Sequence, residues 1–236
     1  MFCGFTKLND IETAIMEKDF KAGRDLAEDF IKANPSASEI NKAKYYLGVS
    51  ELGLSQYSEA RALFKQVLQA NPSENLRDKA WLGVIDSLGM EEKFVESLAE
   101  AENFLKERPH SEFLSVIYLK LGRSNLKLSR WDKAQEYLQK LIHDLPNSFE
   151  AYIARQLLEE KRYFAIQVGS FHDQSRASGL VDELKKKGEY SYLVETKGQD
   201  GQSLFRVRVG QFTSLDDARQ MRRHLSHEGY PTHIYP

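Results

Sequence analysis

The sequence holds a single cysteine, Cys3, so no disulfide can form within the chain and no cysteine-rich metal site can be built. No run of about 18 apolar residues occurs, and the first residues lack the basic and apolar regions of a signal peptide, so neither a spanning helix nor an export signal is expected. Charge of one sign is missing too. The net charge is −2, with 23 basic and 26 acidic residues up to Arg162 and 10 and 9 after it. Neither part is the basic body of a protein held by phosphates, which argues against nucleic acid as a partner. There is no glycine-rich phosphate loop after a strand, no nucleophile elbow and no zinc-binding spacing. His224 and His227 lie three apart beside Glu228, but no third ligand accompanies them, and a solvated helix end is the expectation. No catalytic residue, metal or cofactor is therefore expected, and the chain is read as a non-enzyme.

What is present is a composition of 41% apolar and 29% charged residues, that of a soluble globular chain long enough for two ordered domains. A repeat dominates the first part. Pro35, Pro72, Pro109 and Pro146 stand 37 residues apart, and fifteen residues before each is an aromatic: Phe20, Tyr57, Phe94 and Trp131. Three residues after each aromatic comes a small residue (Gly23, Ala60, Ser97, Ala134), and ten after it an apolar one (Phe30, Val67, Phe104, Leu141). Spacings such as Tyr57, Ala60, Phe64, Val67 predict a helix that the proline ends, and Ala43, Tyr46, Leu47 predict a helix before it. Each unit is a helical hairpin whose small residue allows close approach, and hairpins of this kind bury their apolar faces only by stacking into a solenoid. Phe149 to Lys161 is expected to form a ninth, covering helix.

This pattern resembles the tetratricopeptide repeat over roughly residues 5 to 160. Leu47-Gly48, Tyr57, Ala60, Phe64 and Pro72 carry the resemblance best, followed by Leu121-Gly122, Trp131, Ala134 and Pro146. Leu138 stands where the second copy has Phe64, Asp10-Ile11 replaces Leu-Gly in the first, and Leu82-Gly83 is displaced by two in the third. The three residues beyond the usual period of about 34 are expected in the turns between repeats, at Ser36-Ala37-Ser38 and Ser73-Glu74-Asn75. The resemblance implies a concave groove for a protein partner, whose lining the sequence does not identify.

After Lys161-Arg162 the period changes from helical to alternating. Tyr163 to Phe171 and Leu204 to Phe212 read as strands, both ending Val-Gly-x-Phe, and an offset of 41 residues also aligns Ala177 with Ala218, Leu184 with Leu225 and Gly188 with Gly229. Each strand leads into an amphipathic helix, a glycine cap and a second strand, Tyr190 to Thr196 and Thr232 to Tyr235, with Lys197 to Ser203 as the joining turn. The order βαββαβ favours a four-stranded antiparallel sheet with both helices on one face and the other face open. If Ile166, Val168, Val207, Val209, Leu193 and Ile234 point to the helices, then Gln167, Arg206, Arg208, Tyr192 and His233 point to the open side. The expected architecture is thus two-domain, α + α/β: a helical solenoid over residues 1–161 and a ferredoxin- or RNP-like module over 162–236.

The second unit resembles a SPOR domain over its whole length, through Ile166-Gln167-Val168-Gly169-Ser170-Phe171 and Phe205-Arg206-Val207-Arg208-Val209-Gly210-Gln211-Phe212. The resemblance implies binding of peptidoglycan glycan strands stripped of their peptides, with Gln167, Ser170 and Arg206 at the family's contact positions. Arg208, Tyr192 and His233 complete the expected glycan-binding set. Tyr192 is the stacking candidate, since Trp81 and Trp131 both lie in the repeats. A non-enzymatic adaptor of the bacterial cell envelope follows, placed in the periplasm or at the division septum, with membrane attachment only through a lipid on Cys3 if that residue begins a mature lipoprotein; the other reading of Cys3 is a lone thiol on a frayed end. The competing reading is a repeat scaffold whose C-terminal module contacts protein or, less readily, RNA. An RNA-binding module of the same topology stacks bases on central-strand aromatics, where this chain has Gln167, Arg206 and Arg208.

Overall fold

The computed structural model describes residues 7–33, 36–159, 163–198 and 201–236. Cys3, Pro35 and the expected boundary at 161/162 lie outside the described residues.

Among the described residues the repeats form α1 (Leu8–Met16), α2 (Phe20–Lys32), α3 (Ala37–Gly53), α4 (Tyr57–Gln69), α5 (Glu74–Met90), α6 (Phe94–Glu107), α7 (Leu114–Lys127), α8 (Trp131–Asp144) and α9 (Phe149–Glu159). The periodic aromatics are the first residues of α2, α4, α6 and α8. The small residues three later are buried, Ala60 and Ala134 completely and Ser97 at 3% exposure. At Gly23 an added Cβ would stand 2.7 Å from the Ser50 hydroxyl, so the helices are as close there as the sequence implies.

Phe64 shows how successive units interlock. Its ring lies between Gly48 on α3 and Gly83 on α5, where a Cβ would stand 2.8 Å and 2.6 Å away. Gly83, displaced from the repeat pattern, therefore serves the aromatic of the preceding unit. Leu138 takes the place of Phe64 in the fourth copy and packs on Gly122.

The expectation that the extra residues lengthen the turns is corrected. Ser36 caps α3, its hydroxyl accepting from the Glu39 amide while the Glu39 carboxylate accepts from the Ser36 amide, so Ala37 and Ser38 are helical. Glu74 and Asn75 likewise open α5. The insertion extends the first helices, both 17 residues long, and in α3 the capping box holds the early start.

Each hairpin turns through a left-handed residue two positions before its aromatic: Lys18 (φ 62°), Ser55 (φ 64°), Glu92 (φ 61°) and Ser129 (φ 57°). In the second hairpin the Gln56 amide donates to Glu51 O at 2.8 Å and the Ser55 amide to Leu52 O at 3.1 Å, closing the helix C-terminus.

The C-terminal unit has β1 (Phe164–Phe171), α10 (Gln174–Lys186), β2 (Ser191–Lys197), β3 (Ser203–Phe212), α11 (Leu215–His227) and β4 (His233–Tyr235). The four strands form one antiparallel sheet in the order β2-β3-β1-β4. Ile166, Val168, Val207, Val209 and Ile234 meet Ala177, Leu184, Ala218 and Leu225 of the helices in one core. Gly188 and Gly229, with φ of 90° and 88°, end the two helices in the conformation that glycine tolerates without strain. Lys187 ties the two helix ends together through Glu228 at 3.1 Å and the Tyr230 hydroxyl at 2.8 Å.

Candidate functional site

The sheet register gathers the expected site residues. Gln167 pairs with His233 on β4 and with Arg208 on β3, and Arg208 pairs with Tyr192 on β2, so four of them form a row across the sheet. The register shifts at Val168, where β1 carries one extra residue. That bulge turns Ser170 to the same face as Gln167, opposite Arg206; strict alternation would have sent it to the helices. Ser170 is exposed and does not cap α10, a role taken by Asp173, whose carboxylate accepts from the Ser175 and Arg176 amides.

The expectation that this face stands open to water is not met. Arg208 and Ala165 are 0% and 1% exposed. The Arg208 guanidinium lies 3.7 Å over the ring of Tyr235, a cation–π contact, and Tyr235 in turn packs against the cluster formed by α7, α8 and α9. The cause is docking of the last repeat elements on this side of the sheet. Lys127 Nζ donates to Ile234 O at 3.0 Å, Ser129 Oγ to Thr213 O at 3.4 Å, and Tyr152 Oη to Lys197 O at 3.1 Å. The repeats also reach α11 on the helix side, where Glu92 pairs with Arg219 at 2.7 Å and with Arg222 at 3.6 Å. Trp131, the fourth repeat's aromatic, lies 5.3 Å from Phe164 and joins the cores of both units.

Under this cover the face stays polar. Gln167 Oε1 and Arg206 Nε are buried without a hydrogen-bond partner among the described residues. Tyr192 is half-buried, its hydroxyl 3.3 Å from that of Tyr163 and 3.4 Å from Gly210 O, which leaves its neighbour Tyr190 as the exposed ring. Positive charge is concentrated here. Burial draws the Lys127 ammonium down to about 8, against the opposing pull of Glu92. Crowding also lowers the His233 imidazole, and Lys127, Arg123, Arg222 and Arg206 push it the same way. Where α7 and α9 pass the β2–β3 end of the sheet, a cleft of about 330 Å³ remains, lined among others by Arg123, Phe149, Tyr152, Gln156, Arg206 and Tyr235.

A separate groove of about 350 Å³ opens on the solenoid between α4, α5 and α6, with Lys65, Arg77, Trp81, Glu100 and Glu107 on its walls. The Trp81 indole donates to Glu100 at 3.1 Å and stands edge-on to Phe104 at 5.5 Å.

Residues 18–75 and 117–148 match tetratricopeptide repeat families, and residues 160–235 match the SPOR domain family. Tetratricopeptide repeats lead into a C-terminal SPOR domain. The solved structure of YrrB, described as a TPR protein with an unusual peptide-binding site, is similar over 62% of this chain and 71% of its own, at 20% identity and a TM-score of 0.50. The peptidoglycan-binding domain of the B. subtilis cell wall lytic enzyme CwlC aligns with 31% of this chain and 86% of its own, at 25% identity and a TM-score of 0.27. PilF of Pseudomonas aeruginosa aligns over 63% and 64%, at 16% identity and a TM-score of 0.46. No curated protein gives a significant match. SPOR and tetratricopeptide units are binding modules, and their combination supports a peptidoglycan-binding, protein-interaction adaptor.

His224 of the SPOR domain stands 3.3 Å from both Glu189 and Glu228, and no group of three metal-ligating side chains occurs among the described residues. No helix among them is long and apolar enough to cross a membrane. The repeat residues that reach the sheet face, Arg123, Lys127 and Tyr152, carried no sequence signal. They are non-consensus positions on helices whose periodicity reports only the core.

Proposed function

We propose that this protein is a non-enzymatic adaptor of the bacterial cell envelope, whose SPOR domain binds peptide-free glycan strands while its repeat groove holds a protein partner during cell division or envelope maintenance. The observation that carries the reading is the polar sheet face of a SPOR domain on which Gln167, Ser170 and Arg206 converge, with buried Gln167 Oε1 and Arg206 Nε still lacking partners among the described residues. Removal of the peptide from muramic acid exposes a lactyl carboxylate. A guanidinium matches a carboxylate through two parallel charge-assisted hydrogen bonds, and a glutamine amide both donates to and accepts from an acetamido group. Charge-assisted contacts are worth about 1.5–3 kcal/mol each. A peptide-bearing strand lacks the carboxylate and is bulkier, so both effects favour the denuded form. Arg208 has a different part from the one its sequence position suggests: under Tyr235 it orients the face from beneath.

The division of labour places protein binding within residues 1–161 and glycan binding within 162–236. The adaptor works in the periplasm, at the septum if its role is in division, and any membrane attachment is through a lipid on Cys3. One observation favours a second reading, in which the SPOR domain serves protein contact: repeat helices already cover part of its sheet face.

Retention of the full chain on intact and amidase-treated sacculi separates the two. Stronger retention on the treated sacculi is expected, weakened roughly 10- to 100-fold by Arg206→Ala and less by Gln167→Ala. Raising salt should weaken the wild type more than Arg206→Ala. Equal retention on both kinds of sacculi, or an Arg206→Ala variant with unchanged affinity and salt dependence, overturns the glycan reading in favour of the second.

A further inference from the structure

We infer that the glycan site is shared between the two modules: the cleft between α9, α7 and the β2–β3 end of the sheet takes an acidic N-acetylated sugar, with Arg123 of the repeats and Arg206 of the SPOR domain as its two carboxylate-binding groups. The inference rests on the glycan reading above and assigns part of the recognition to residues outside the SPOR domain.

The cleft, at about 330 Å³, is at the small end of the range for small-ligand sites, about 300–1,000 Å³, which suits a short stretch of a strand. Its charged groups are all cationic. Arg123, Arg206 and Lys197 line it, and no acidic side chain does so among the described residues. Arg123 is exposed to water, yet crowding lowers its pKa, with Tyr235 opposing. An accessible cation in a concave, partly desolvated surround is poised for an anion that brings its own charge.

The uncharged walls suit a sugar better than a phosphate. Phe149 and Tyr152 lie nearly parallel, 23° apart with ring centres at 6.4 Å, and Tyr235, already stacked with Arg208, closes the wall beside them. Flat aromatic faces pack against the C–H faces of a pyranose, and the Gln156 amide, which donates to Tyr152 Oη at 2.8 Å, sits beside them for the polar rim. Tyr152 itself is held in place because its hydroxyl donates onward to Lys197 O.

The test uses the full chain on amidase-treated sacculi and compares wild type with Arg123→Ala, Arg123→Lys, Tyr152→Ala and Arg206→Ala, each checked by circular dichroism to be fully folded at the assay temperature. Arg123→Ala is expected to weaken retention about 10-fold or more, as Arg206→Ala does. Arg123→Lys keeps the charge but not the planar fork and should lose less. Tyr152→Ala should weaken retention without changing its salt dependence, since no charge is removed. If Arg206→Ala binds more weakly while Arg123→Ala and Tyr152→Ala bind as wild type, the shared site is wrong and the SPOR-only reading survives. If the repeat variants bind more tightly, the repeats act as a cover over the face, and the inference is equally overturned. A wild type that does not prefer treated sacculi removes the glycan reading itself, and the shared site falls with it.

Discussion

Replacing Trp131 with alanine should uncouple the repeats from the SPOR domain. The ring packs against the α8–α9 core on one side and against the sheet core on the other, 5.3 Å from Phe164. Truncation of a buried Trp or Phe to alanine costs about 3–5 kcal/mol. Trp131 is partly exposed, so the lower end, about 3 kcal/mol, applies, with roughly 0.5–1.5 kcal/mol of it from the tilted ring pair. Tyr235 also packs on the α7–α9 cluster, and the remaining ties described between the units are polar. The Glu92 pairs with Arg219 and Arg222 are solvent-accessible and worth about 0–1 kcal/mol, and a neutral hydrogen bond such as Tyr152 to Lys197 O contributes about 1 kcal/mol. Among the described residues Trp131 is the ring that packs into both cores at once. Thermal unfolding followed by circular dichroism and by tyrosine fluorescence should give one coincident transition for wild type and two separated ones for Trp131→Ala, with the repeat transition lowered. A variant that still unfolds in a single transition at the wild-type temperature would refute the claim that the two cores meet through this ring.

Ser55→Gly should stabilise the protein by about 0.5–1 kcal/mol in urea denaturation, because a left-handed backbone costs an L-residue about 1–2 kcal/mol and glycine returns only part of that as unfolded-state entropy; a loss of stability would contradict the turn geometry. Ala60→Trp should cost at least about 1–3 kcal/mol, since Ala60 is fully buried where α4 meets its neighbours, and unchanged thermal stability would count against this packing. Lys127 predicts a pH effect of definite sign. Its folded pKa of about 8 lies below the ordinary 10.5, so the unfolded chain binds more protons between those values and stability rises with pH across that window. Wild type should gain stability relative to Lys127→Met from pH 8 to about 10.5, and a constant difference between the two would show that Lys127 is not buried.

Much of the fold could be read from residue pattern because it depends on who is buried. The 37-residue spacing of Phe20, Tyr57, Phe94 and Trp131 marks the first residue of each second helix, and the alternation of Ile166, Val168, Val207 and Val209 marks the core side of the sheet. The left-handed turns were invisible: Lys18, Ser55, Glu92 and Ser129 include no glycine, and the helix-end hydrogen bonds impose the conformation against local preference. The extra residue at Val168, which places Ser170, was hidden because β-branched valine suits a regular strand and a bulged one alike. Docking was illegible for a different reason. It rests on Arg123, Lys127, Tyr152 and Tyr235, surface positions free of any periodic constraint, and on Trp131, whose repeat role already accounted for its presence. The cover over Arg208 followed from these residues, so a burial argument confined to one domain put the wrong side chain in water.

The groove beside Trp81 belongs to α4–α6, whereas the cleft beside Arg123 belongs to α7–α9. Adjacent packed helices lie about 8–10 Å apart, and alternate helices of the solenoid are themselves neighbours, so the two openings are separated by one to two repeats, on the order of 10–20 Å. That span leaves room for two occupants at once and keeps them on a short, stiff leash. On the proposed reading, a protein held in the groove would meet cell-wall strands at an effective concentration in the millimolar range, as expected for short linkers, even where its own affinity for them is negligible. If the preference for peptide-free strands holds, an enzyme or scaffold with no sugar-binding module is thereby confined to denuded stretches of wall, and released from them simply by leaving the groove.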